Sequence, residues 1–271
     1  TMILVAVGLF CRGPSGWRAG ALAILARLGM FIVALSAIPL SYWFYGVALA
    51  TTAVWLWSER TKRESLLKHR GKLRLATIVI WLGGALVELP NHFLPRLPTL
   101  GNPPIFVIGD SVTAGTGSEK ETWPDLLPAS VEVHDLSRMG ATTSSALREQ
   151  CEQLPKDGGL VLLEIGGNDL LGDTSATRFE LDLDQLLAGA AAPGRTIIMF
   201  ELPLPPLCNE YGRIQRRLAA RHSVRLIPKR IFISVLATND TTLDSIHLSA
   251  SGHEQMAAAV WRVIGSAYTA K

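Results

Sequence analysis

Charge is scarce in this chain: Asp, Glu, Lys and Arg make up 18% of its 271 residues, and cysteine is scarcer still, at three. Three cysteines cannot staple a small secreted scaffold, and a chain of this length buries a full core without them. With 48% of residues hydrophobic, the composition also excludes intrinsic disorder. A uniform excess of one sign of charge is missing too. Residues 1–103 hold 11 Lys and Arg against 3 Asp and Glu, and residues 104–271 hold 15 against 20. The net charge of +3 is therefore a basic segment joined to an acidic one, not the footprint of a nucleic-acid partner. Hydrophobicity is divided in the same uneven way along the chain.

The first part reads as a membrane region over residues 1–89. Ala19–Trp57 is almost continuously apolar, interrupted by Arg27 and Pro39. Two spans fit, Ala19–Ile38 and Leu40–Trp57, each near the ~20 residues that cross a ~30 Å hydrocarbon core. Tyr42, Trp43 and Tyr45 beside the break belong to an interfacial aromatic belt. A third run, Leu73–Leu89, gives about three transmembrane helices in all. Arg60, Lys62, Arg63, Lys68, Arg70, Lys72 and Arg74 fill the connection before it. The positive-inside rule puts that loop in the cytoplasm and everything after the third span on the extracytoplasmic side. Met2–Cys11 is apolar but too short to cross alone, and an interfacial segment, a re-entrant turn and a tilted partial helix all stay open. Pro90, Pro95, Pro98, Pro103 and Pro104 then mark residues 90–103 as a stiff, extended linker.

Residues 104–271 alternate short apolar runs with helical stretches. The runs are Ile105–Ile108, Val131–Leu136, Leu160–Ile165, Thr196–Glu201 and Val224–Ile227. Helices are expected over Thr143–Leu154, Arg178–Ala190, Asn209–His222 and His253–Tyr268, with Ser251 and Glu254 at capping-box spacing. No internal repeat or low-complexity tract interrupts the pattern. Such alternation predicts a mainly parallel sheet with helices on both faces, where ligand chemistry gathers at the carboxyl ends of the strands. Polar clusters lie at those points: Gly109-Asp110-Ser111, then Ser137 to Gly140, then Gly166-Gly167-Asn168-Asp169. Asp244 to His247 precedes the last helix.

A serine hydroxyl needs a base to become a nucleophile, and the resulting imidazolium needs an anion to orient it. Ser111, His247 and Asp244 supply one of each. The Ser111 and Gly140 N–H groups and the Asn168 amide are candidate donors to a developing oxyanion. The Gly-x-Ser-x-Gly elbow is absent, because Thr113 stands at its last position. His253-Glu254 lacks the second histidine of a zinc helix, Ala257 standing there, so no metal or organic cofactor is expected.

Together, Gly109-Asp110-Ser111, Gly140, Gly166-Gly167-Asn168-Asp169 and Asp244-x-x-His247 resemble the four signature blocks of the SGNH/GDSL hydrolases, in their usual order. The resemblance spans residues 104–268. It implies a three-layer, flavodoxin-like α/β/α domain with Ser111 as nucleophile, His247 as base and Asp244 as its orienting partner. It further implies an oxyanion hole from Ser111, Gly140 and Asn168, supported by Asp110, Gly167 and Asp169. Asp135 stands where similar proteins often carry Asn. The membrane anchor, by raising the local concentration of envelope substrates, points to an acyl ester of a lipid or envelope glycan as partner, with membrane lipids around the anchor. An acyltransferase using the same acyl-enzyme and a scaffold that only binds an acylated ligand are the alternatives. Three further expectations concern neighbouring residues. Trp123 and Pro124 wall the site or belong to the core. The basic tract from Arg213 to Arg230 is a solvated face or contacts lipid headgroups. Cys151 and Cys208 form a disulfide or stay free.

Overall fold

The computed structural model describes residues 38–61, 68–117, 119–244 and 246–268. They fall into two units, one holding the described residues up to Pro90 together with Leu204–Arg213, the other Asn91–Pro203 with Ile214 onward.

The first unit is built on two helices, α1 (Tyr42–Arg60) and α2 (Arg70–Glu88). They correspond to the runs expected at Leu40–Trp57 and Leu73–Leu89; the run Ala19–Ile38 lies outside the described residues except for Ile38, as does Met2–Cys11. Ser41 caps α1 by accepting a hydrogen bond from the Phe44 N–H, and Arg70 closes its far end by donating to Ser58 O and Thr61 O. A cation there offsets the negative end of the helix dipole. One stripe of α1, Ala48, Thr52, Trp55 and Ser58, is buried against Thr77, Ile78, Trp81 and Gly84 of α2. Trp81 Nε1 donates to Thr52 Oγ1 at 3.1 Å. Gly84 makes room for the Phe44 ring, since a Cβ there would stand 2.3 Å from Phe44 Cζ. The outward faces stay apolar: Trp43, Val47, Leu49, Val54 and Trp57 on α1 and Leu75, Val79, Leu82, Leu86 and Val87 on α2 are exposed. Among the described residues one helical segment, Arg70–His92, is long and apolar enough to cross a membrane. The α1 helix falls short because Tyr42, Trp43, Tyr45, Trp55 and Trp57 take places that aliphatic residues would fill.

The second unit is a five-stranded parallel sheet in the order β2-β1-β3-β4-β5, with helices on its faces. Its strands are β1 (Ile105–Gly109), β2 (Val133–Asp135), β3 (Leu160–Glu164), β4 (Thr196–Phe200) and β5 (Arg225–Ile227). β1 and β3 are buried along their whole length, as strands covered on both faces must be. Ile105, Val107, Leu160, Leu162, Ile198 and Phe200 point to one face. There they join Ile231, Phe232 and Val235 of α8 (Lys229–Leu236) and Met256, Val260, Val263 and Ile264 of α9 (Ala250–Ile264). The alternate residues of each strand face the opposite layer, where α4 (Thr143–Glu149) packs on α6 (Ala176–Ala190). This unit also holds α3 (Ser111–Ala114), α5 (Gly167–Leu171) and, from Ile214 onward, the rest of α7 (Asn209–Arg221). Sequence patterning does not give α3 or α5, each a single turn at a strand end, and it does not give α8.

The order in which strands are added reverses at β1: β2 lies on one side of it and β3 on the other. Loops leaving β1 and β3 therefore diverge and leave a crevice at the carboxyl edge. One local expectation is corrected. The last helix is capped not by Ser251 but by Ser249, which accepts from the Gly252 N–H; Ser251 donates instead to Asp240 O. Residues 91–103 run along this unit: Leu94, Leu97 and Leu100 pack on its core, and Leu100 N donates to Ala267 O at 2.8 Å.

Candidate active site

Ser111 is the first residue of α3, directly beyond β1. Asp110 turns the chain there, its Oδ1 accepting the Val112 N–H at 3.0 Å as an N-cap. The turn needs glycine at 109, because a Cβ would fall 2.6 Å from Thr113 Oγ1. Gln150, wholly buried, clasps this glycine from both sides. Its Oε1 accepts the Gly109 N–H at 2.9 Å and its Nε2 donates to Gly109 O at 3.0 Å.

His247 arrives from the loop before α9, with Nε2 3.0 Å from Ser111 Oγ. Its Nδ1 lies 2.7 Å from Asp244 Oδ2, while Asp244 Oδ1 accepts the N–H groups of His247 and Ile246 at 2.9 and 3.1 Å. Those bonds hold the Asp244 carboxyl well below its usual range, at about 2, the His247 backbone N–H contributing most. An ionised Asp244 accepts a hydrogen bond from Nδ1–H, so the lone pair of Nε2 faces the serine. This orientation suits His247 to take the Ser111 proton.

Gly140 has φ +75° and Gly166 φ +110°, a left-handed conformation that glycine adopts without strain. These two turns bring the loops after β2 and β3 to the same edge. Asn168 Nδ2 donates to Ala141 O at 3.0 Å, which spends one amide hydrogen and leaves the second for a substrate oxygen. Asp169 does not reach the reacting atoms. It is buried behind them, accepting the Thr143 N–H at 2.8 Å and the Thr143 hydroxyl at 2.9 Å, and so ties the two loops together. Gly167 lies against Asp110, where a Cβ would be 3.2 Å from Oδ2.

A cavity of about 260 Å³ opens beside Ser111 and His247, and Leu170, Leu171, Leu202, Phe232, Leu236 and Ile246 give it an apolar lining. Trp123 is not part of it. That residue is core, wholly buried, with its indole N–H donating to Thr113 Oγ1 at 3.3 Å. The basic tract is largely paired within the chain: Arg216 with Glu201, Arg217 with Glu180, and Arg221 with Asp184. Arg230 donates to His92 O. Cys151 and Cys208 are both free thiols, Cys151 buried and Cys208 half-buried. His134 meets Glu132, two residues before it, at 2.9 Å, and His222 meets the distant Asp184 at 2.7 Å.

Sequence reasoning overlooks four residues here. Thr113, Thr143 and Gln150 carry no local signal. Glu164 does carry one, as the single charge in an otherwise apolar strand.

Residues 107–255 match the model of the GDSL-like lipase/acylhydrolase family. An arylesterase of Vibrio mimicus is 28% identical over 160 residues, which cover 53% of this chain and 78% of that protein. Esterase TesA of Pseudomonas aeruginosa is 25% identical over 138 residues, 46% of this chain and 69% of its own. Among solved structures, the psychrotrophic esterase EstA from Pseudoalteromonas sp. superposes with a TM-score of 0.52 at 20% identity, over 61% of this chain and 98% of that one. The structure of TesA gives 0.52 at 23%, over 60% and 99%. At these identities the two superpositions speak for the fold.

Proposed function

The chain belongs to the GDSL-like lipase/acylhydrolase family and is a serine esterase of that kind, and we propose that it is a membrane-anchored one, cleaving acyl esters of a lipid or envelope glycan through Ser111, His247 and Asp244. The observation that carries this reading is the 3.0 Å approach of His247 Nε2 to Ser111 Oγ at the mouth of the apolar cavity. Ser111 Oγ attacks the acyl carbonyl as its proton passes to Nε2, with Asp244 stabilising the imidazolium. The Ser111 and Gly140 N–H groups and the Asn168 amide take the charge on the tetrahedral oxygen. Collapse expels the alcohol, which receives the proton from His247. Water activated by the same histidine then frees the acid and restores Ser111.

The cavity supports a limited acyl length. Its volume of about 260 Å³ falls below the ~300–1,000 Å³ of sites that enclose drug-sized ligands. Its apolar walls favour each added methylene by about 0.8 kcal/mol until the space is filled. In a p-nitrophenyl ester series with the detergent-solubilised protein, kcat/KM is expected to climb about fourfold per methylene from acetate and then fall for chains too long for the cavity. A flat profile would remove the cavity from the acyl-binding role. A supplied sugar or lipid alcohol that intercepts the acyl group ahead of water would turn the reading to acyl transfer.

Anchoring is supported by the apolar outward faces of α1 and α2, the length and hydropathy of Arg70–His92 and the basic connection before it. After replacement of the native cysteines, K120C is expected to react with an impermeant maleimide from outside intact cells and K68C only after lysis. External labelling of K68C would reverse the topology.

A further inference from the structure

We propose that Glu164 is a positioning residue, a neutral acid that shares one proton with Asp110 and thereby fixes the turn from which Ser111 attacks. Both carboxyls are about 98% buried and hydrogen-bonded to each other, and no Lys or Arg ion pair reaches either among the described residues. Two buried carboxylates in contact cannot both stay ionised. Bonding around them says where the proton sits. Trp123 Nε1 donates to Thr113 Oγ1, so the Thr113 hydroxyl donates onward to Glu164 Oε2 at 2.9 Å. The other Glu164 oxygen then carries the hydrogen toward Asp110. Burial lifts both groups above the usual carboxylate range, Asp110 to about 6.

The pair touches both halves of the site. Thr113 and Asp110 belong to the turn that presents Ser111, and Asp110 Oδ2 abuts Gly167, next to Asn168. His247, from the loop before α9, and Asp169, from α5, are the charged or titratable groups that act on the pair from outside, one favouring the Asp110 carboxylate and the other opposing it. Loss of the shared proton would set two charges against each other beneath the nucleophile.

The inference rests on the esterase reading for its kinetic arm only. In Glu164→Ala, kcat is expected to fall about 100-fold with KM little changed, as displacement of a reacting group does. Glu164→Gln, which donates to Asp110 and accepts from Thr113 as the neutral acid does, should recover most of that loss. The second readout is melting temperature against pH in detergent. A carboxyl raised above its unfolded value of 4.5 stabilises the fold below that pH, and this stability drains away as pH rises through the folded value. Glu164→Gln has no such proton to lose, so its melting point should gain on wild type from pH 5 to pH 8. If Glu164→Ala does not fold, Thr113→Val carries the kinetic arm, with an expected fall in kcat of about tenfold. The inference is overturned by Glu164→Gln as slow as Glu164→Ala, by a pH-independent difference in melting point, or by full kcat in Thr113→Val. A wild type inert to every ester but with the expected melting profile would sink the esterase reading alone.

Discussion

Ser111→Ala is expected to cut kcat for ester hydrolysis on the order of 10⁵-fold while leaving KM within a few-fold, because the hydroxyl takes part in bond making and hardly in binding. The cavity beside it is lined by other residues, so substrate should still dock. Ser111 itself is buried and small, and its truncation leaves the Asp110 cap on the Val112 N–H intact. Fold stability should therefore stay near wild type. His247→Ala should cost nearly as much, and the double variant scarcely more than either single one, since the two side chains act as one proton-transfer unit. Stopped assays on the three variants, each normalised by its melting curve, would show this. Additive losses would mean that Ser111 and His247 work independently.

Asp244→Asn has the next largest effect. Asp244 accepts three hydrogen bonds, from the backbone N–H groups of Ile246 and His247 and from His247 Nδ1. An amide can keep the backbone bonds through its oxygen, but it presents a donor to Nδ1 and so favours the wrong tautomer, with the lone pair turned away from Ser111. For a buried carboxylate that change costs about 10⁴-fold. Here the side chain is 55% exposed, water screens the imidazolium in its place, and the expected loss in kcat is on the order of 10³-fold. Wild-type kcat in the variant would free Asp244 from the orienting role.

The parts of this site that were legible in the sequence share a physical origin. Strands announce themselves as short apolar runs, and a parallel sheet delivers the loops after its strands to one edge. Ser111 after β1 and Asn168 after β3 could thus be brought together from their chain positions alone. Asp244 and His247 were legible because the contact between them is local. The hidden contacts are tertiary. Gln150 binds Gly109 across 41 residues, and Thr143 reaches Asp169 across 26; polar residues in a helix carry no mark of which distant backbone they will satisfy. Trp123 illustrates the same limit, since its bulk suited both a pocket wall and a core until the bond to Thr113 decided between them. The basic tract reads from sequence as a solvated face or a lipid contact because its acidic partners, Glu180, Asp184 and Glu201, lie on α6 and beyond β4. Single-turn helices such as α3 and α5 are too short to show a period, although the glycines that bound them, Gly109, Gly115 and Gly166, were in view.

The proposed acyl-enzyme at Ser111 is tested most directly by covalent capture. The detergent-solubilised full chain is treated with a fluorophosphonate, digested, and mapped by mass spectrometry, alongside Ser111→Ala and His247→Ala. One adduct per chain is expected, on the peptide containing Ser111, absent from Ser111→Ala, formed far more slowly in His247→Ala, and accumulating at the same rate as ester hydrolysis is lost. Hydrolysis that survives complete modification of Ser111, or an adduct on another serine that accounts for the loss of activity, would contradict the account.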